Sequence, residues 1–113
     1  MKRFPDIHTA IHDLLYSLWV TAKYIGFDYT YFAIYLAIQK PERLLLVTKW
    51  IYPDVVRRYH TNWYAVERNI RTIVAIAWEL CPDKLSGIAK YNLTHRPTNT
   101  QFISYWQITF RHP

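Results

Sequence analysis

Two arginines three residues apart, Arg68 and Arg71, have the types and spacing best suited to a chemical task. On a helix that spacing puts both on one face. The planar fork of arginine matches the O6 and N7 acceptors that guanine presents in the DNA major groove. Glu67 adjoins them. Its carboxylate accepts from a cytosine amino group, or orients Arg71 four residues on. The methyl group of Ala65 fits against that of thymine. A second basic pair, Arg57 and Arg58, lies just upstream. Between the pairs, Thr61, Asn62 and Tyr64 offer hydroxyl and amide groups at a helix start, where free backbone N–H groups also favour phosphate. Duplex DNA is the ligand that uses all of these groups. Ala65, Glu67, Arg68 and Arg71 are then the base contacts, and Arg57, Arg58, Thr61, Asn62 and Tyr64 the phosphate contacts.

A helix-turn-helix over about residues 53–80 positions them. Pro53 suits a first helical position, where its missing N–H costs nothing. Val55, Val56 and Tyr59 follow at helical spacing. Thr61 or Asn62 caps a second helix, predicted from Trp63 to about Leu80 and stopped by Pro82. Val66, Ile70, Ile73, Val74 and Ala77 recur on its inner face at steps of three and four. The outer face carries the charge. A short helix, a polar turn and a basic amphipathic helix is the pattern that lays its second helix in the major groove.

The rest reads as a helical scaffold. A first helix over residues 6–19 is capped by Asp6 and has a stripe of Ile7, Ala10, Ile11, Leu14, Leu15 and Leu18. Gly26 marks a helix end or a turn. Asp28 caps a second helix to about Ile38, with Phe32, Tyr35, Leu36 and Ile38 apolar. Pro41 starts a third, Glu42 to about Ile51. Asp83 caps a short one, Lys84 to Lys90. Thr98 or Asn99 caps the last, Thr100 to about Phe110, with Phe102, Ile103, Trp106 and Ile108 or Phe110 inward. The expectation is one all-α domain over 1–113 with about six helices. The aromatic run from Tyr24 to Tyr35 suits core or rim packing, or a self-association surface.

Composition narrows the function. The 113 residues carry a net charge of +6, which favours a polyanionic partner, nucleic acid before an anionic membrane surface. A lone cysteine, Cys81, excludes an internal disulfide and a cysteine-rich zinc site, and fits a reducing cytoplasm. Asp6, His8 and Asp13 interrupt any early signal-like run. No apolar stretch approaches the roughly 20 residues that span a bilayer. His8 and His12, four apart beside Asp13, have metal-ligand spacing but no third donor, so a solvated helix face is the better reading. There is no glycine-rich phosphate loop, nucleophile elbow or catalytic carboxylate pair. No enzyme activity, cofactor or metal is expected.

Two separated motifs carry a family resemblance. Tyr52-Pro53-Asp54-Val55, Val66-Glu67-Arg68-x-Ile70-Arg71 and Ala77-Trp78 form one; Arg96-Pro97-Thr98-Asn99-x-x-Phe102-Ile103 forms the other. In this order they resemble the C-terminal effector domain of the master sporulation response regulator, the stage-zero sporulation protein A family. The resemblance covers roughly residues 7–108. It implies a six-helix domain of the winged-helix-like response-regulator effector superfamily that binds DNA and regulates transcription. It puts Glu67, Arg68 and Arg71 at positions facing DNA, Trp78 in the core, and Arg96 and Thr98 at phosphate contact or loop stabilisation. It aligns Glu79–Lys90 with the region that meets the RNA polymerase sigma subunit, and implies binding as a homodimer or tandem copies. The family's receiver domain has no counterpart here. Met1-Lys2-Arg3 reads as a natural start, and a free-standing effector domain or a portion of a longer chain both fit.

The chain departs from the family at one place that matters. It has Tyr64-Ala65 where the family has Ser-Arg, so one arginine expected at a base is absent. The reading is sequence-specific binding of double-stranded DNA. Its rivals are a protein-interaction module that dimerises with or antagonises a full-length regulator, and a basic, aromatic surface for anionic membrane.

Overall fold

A computed structural model describes residues 6–110, apart from the side chain of Ile108. Asp6 caps α1 (Ile7–Ser17), its carboxylate accepting from the Thr9 N–H. Ile11 and Leu15 face inward from α1, and Leu18, one residue past its end, is buried as well.

The architectural hub is α2 (Gly26–Gln39), which packs on α1, on the helix-turn-helix and on the C-terminal helices. Gly26 is its first residue, so of the two readings it marks a helix end. A Cβ at Gly26 would stand 2.2 Å from the Asn69 carbonyl oxygen and 2.8 Å from Ile73 Cγ1, so only glycine lets the start of α2 approach the later long helix this closely. Asp28 lies in the first turn, where it complements the helix dipole, and does not cap. The buried face is Phe27, Thr30, Ala33, Ile34, Leu36 and Ala37. Of the four apolar residues expected on this helix, Leu36 is in the core. Phe32, Tyr35 and Ile38 are half-buried along the flank. Neighbours on several sides favour small Ala33 and Ala37 at the contacts, and the larger rings move outward.

The expected helix over 42–51 is two pieces. A 3₁₀ segment (Pro41–Leu46) precedes α3 (Val47–Trp50), and Leu46 leaves helical geometry between them at φ −144°. The tighter 3₁₀ winding changes the side-chain directions. It buries Val47, half-buries Leu44, and turns Leu45 and Leu46 out to solvent.

The motif α4 (Tyr52–Tyr59), turn, α5 (Trp63–Leu80) follows. Pro53 sits in the first turn of α4. His60 takes the left-handed conformation (φ 52°) that closes α4. Asn62 caps α5, its side chain accepting from the Ala65 N–H at 2.8 Å. Val66, Ile70, Ile73, Val74 and Ala77 are all buried, against α2 and α4.

α6 (Pro82–Ala89) begins at Pro82 itself, because proline suits the first turn. The cap position is Cys81, without a side-chain bond, and Asp83 lies inside the first turn, so Asp83 is no cap. Thr98 caps α7 (Asn99–Ser104) in a reciprocal box: it accepts from the Gln101 N–H at 3.1 Å, and its own N–H donates to Gln101 Oε1 at 2.9 Å. The last helix breaks at Tyr105, whose N–H is shared between the Gln101 and Phe102 carbonyls, before α8 (Trp106–Phe110). The break brings Phe102, Ile103, Tyr105 and Trp106 all inward. Phe110 is half-buried; Ile108 lies outside the described side chains. The fold is all-α, and among the described residues there is no strand.

Candidate nucleic-acid interface

The outer face of α5 begins immediately after its cap. Tyr64, Arg68 and Arg71 are exposed, and Glu67 is half-exposed between them. Arg68 donates through Nη1 to the Tyr64 hydroxyl at 3.0 Å, with its guanidinium 5.9 Å from the ring centre. Arg71 pairs with Glu67 at 3.3 Å. An exposed i,i+4 pair of this kind adds about 0.5 kcal/mol or less to the helix, so its main effect here is to orient the two side chains. Tyrosine and glutamate thus each aim an arginine off one face of one helix. Ala65 is half-buried on the flank of that face, its carbonyl accepting from Asn69 Nδ2 at 2.7 Å.

The turn residues lie at the same end. The Thr61 N–H donates to the Val56 carbonyl at 3.2 Å, finishing α4. The Asn62 oxygen is occupied by capping, which leaves its NH₂ outward. On α4, Arg57 is exposed and paired with Asp54. Arg58 is exposed and lies over two rings, 5.8 Å from the centre of Phe32 and 5.7 Å from that of Tyr59. Both arginines retain unpaired N–H donors in this arrangement, because neither a single carboxylate nor a ring face uses the whole fork.

The second motif comes to the side of α5. Asn99 donates through Nδ2 to the Tyr52 hydroxyl at 3.1 Å and to the Glu67 carbonyl at 3.0 Å, and so ties α7 to both helices of the motif. Arg96 is exposed there. Arg96, Arg71, Glu67, Trp63 and Thr48 line one cleft of about 470 Å³. Burial pushes the Tyr52 hydroxyl above the ordinary tyrosine range, and the Asn99 bond pulls it part of the way back. Thr48, Trp63 and Asn99 line this cleft too, and local spacing did not reveal them. They come from three separate elements, and only the fold brings them together.

A model of one family, described as "Sporulation initiation factor Spo0A C terminal", matches residues 11–108. The chain belongs to the Spo0A C-terminal family. That membership makes it a DNA-binding regulator of transcription in sporulation. Both motifs of the interface, at 52–71 and 96–103, fall inside the matched span. The family is one of regulatory domains, not of catalysts.

The other candidate constellations are placed as follows. His8 and His12 lie against the aromatic flank of α2: His8 bonds the Tyr31 hydroxyl, and the His12 ring is 4.5 Å from that of Tyr31. Among the described residues no group of three or more His, Cys, Asp and Glu is placed to hold a metal. Cys81 is half-buried at the α5–α6 joint. Trp78 is half-buried against the core. Among the described residues no helix is long and apolar enough to cross a membrane.

Proposed function

We propose that the first two turns of α5 enter the major groove of duplex DNA and read bases. Arg68 reads guanine, with Arg71 and Glu67 on the neighbouring pair and the Ala65 methyl against the groove floor. Arg57, Arg58, Thr61, Asn62 and Tyr64 hold phosphates on one side, and Arg96 and Thr98 on the other. One observation carries this reading: Arg68 and Arg71 leave the exposed face of a helix whose opposite face is fully buried, each oriented by a neighbour one turn earlier. Such a helix presents its fork to a base edge at little entropic cost.

Two finer points follow from helix length. The end of α5, at Leu80, lies about 18 Å along the axis from Arg68, at 1.5 Å per residue, and α6 begins just beyond it. Glu79, Leu80, Asp83 and Lys84 are exposed there. That surface clears the duplex and is the one proposed to meet the polymerase sigma subunit. Tandem copies on repeated sites then line up along the DNA, in the cytoplasm.

Fluorescence anisotropy with labelled duplex tests the reading. Affinity should fall steeply between 50 and 200 mM salt, with a log–log slope of about −3 for the three arginines proposed at phosphates. Arg68→Ala should remove at least about tenfold of specific affinity. A salt-insensitive complex, or one indifferent to Arg68, would sink the proposal.

A further inference from the structure

The 3₁₀ segment and α3 expose three large apolar side chains within six residues: Leu45 at 83%, Leu46 at 52% and Trp50 at 49%. Scattered exposed leucines are ordinary, whereas a cluster on one element marks an interaction surface. Here the cluster lines a groove of about 690 Å³ that runs on to the start of α4. Its rim carries Lys40, Arg43, Lys49 and Arg57 against two carboxylates, Glu42 and Asp54. Asp54 is already spent on Arg57. Among the described residues neither Lys40 nor Lys49 has a carboxylate partner, and Lys49 rests its ammonium 5.0 Å from the Trp50 ring centre. The groove therefore combines exposed apolar side chains with a net positive charge.

We infer that this groove docks an acidic amphipathic helix of a partner protein, while α5 is free to hold DNA. Leucines of such a helix at i and i+4 would meet Leu45, Leu46 and Trp50, and its flanking glutamates Lys40 and Lys49. One feature favours a protein helix over a bilayer: the surface is concave, which suits a helix better than a lipid headgroup plane. A second copy of this same groove would set lysine against lysine.

The test uses the whole chain and a labelled, synthetic helix-forming peptide of leucines and glutamates in an amphipathic pattern, followed by anisotropy. The result expected is saturable binding that Leu45→Glu lowers by about tenfold or more, that Lys40→Glu/Lys49→Glu also lowers, and that a leucine–lysine peptide does not reproduce. Leu45 is mostly exposed, so its variant keeps the fold, and an unchanged thermal midpoint in both variants checks this. Absence of peptide binding, or binding indifferent to Leu45→Glu, overturns the inference. So does sedimentation with phosphatidylserine vesicles that Leu45→Glu abolishes, which assigns the groove to a membrane. Concentration-dependent dimerisation lost in Leu45→Glu overturns it in favour of a second copy.

Discussion

The Tyr64 hydroxyl accepts from Arg68 Nη1 at 3.0 Å, one turn along the same helix. The ring lies beneath the guanidinium, so Tyr64 supports Arg68 in two ways. They separate experimentally. Tyr64→Phe keeps the ring and loses the bond; it should weaken specific duplex binding about threefold, the effect of one exposed hydrogen bond. Tyr64→Ala loses both and should cost about tenfold. Equal affinities for wild type and both variants, by anisotropy, would show that Arg68 needs no such support.

Asn99 joins α7 to the reading helix through Tyr52 and Glu67. Asn99→Asp keeps the shape but supplies no donor. The Tyr52 hydroxyl turns to donate to the new carboxylate, but the bond to the Glu67 carbonyl is lost and two acceptors are set against each other. The expected loss is about 2 kcal/mol of folding stability in urea, with duplex binding weakened as the Arg96 side of the cleft loses its register. Asn99→Ala should cost about as much, because the lost bonds and not the lost volume dominate.

Gly26 lets α2 touch α5 at the Asn69 carbonyl. The obstacle to a side chain there is backbone and cannot swing aside. Gly26→Ala should destabilise by about 3 kcal/mol despite the better helix propensity of alanine. A thermal midpoint unchanged from wild type would show that the two helices can part without cost.

Four tyrosines, Tyr31, Tyr52, Tyr59 and Tyr105, have hydroxyls held above the ordinary range, burial being the largest cause for each. A raised value means that the folded state prefers the neutral hydroxyl. Stability from this source is complete below the unfolded value, about pH 10, and is lost as pH rises through the folded values. The thermal midpoint should therefore fall above about pH 10, and its onset should coincide with tyrosinate absorbance. Tyr52→Phe should blunt the fall.

How much of this was legible in the sequence depended on how many neighbours each element has. On α5 one face takes every apolar residue, so period alone gives Val66, Ile70, Ile73, Val74 and Ala77. The Thr98–Gln101 box and the Asn62 cap are equally local and equally readable. α2 is enclosed from several sides, so Ala33 and Ala37 carry close contacts while Phe32 and Tyr35 stay half-buried on its flank. Residues 41–51 keep one helical pattern in sequence, yet the winding changes at Leu46 because burial of Val47 competes with a regular helix. Pairs such as Tyr52 with Asn99, or Arg71 with Arg96 across the cleft, are long-range, and no spacing rule reaches them.

The measurement that tests the central claim most directly is a selection of bound duplexes from a random pool, wild type against Arg68→Ala. Wild type should enrich a short defined box, and Arg68→Ala should lose preference at one guanine while salt-sensitive binding persists. Loss of an arginine at position 65 should show as a relaxed base beside that guanine. If the two proteins enrich the same box, or neither enriches any, α5 does not read bases through Arg68 and the account is wrong.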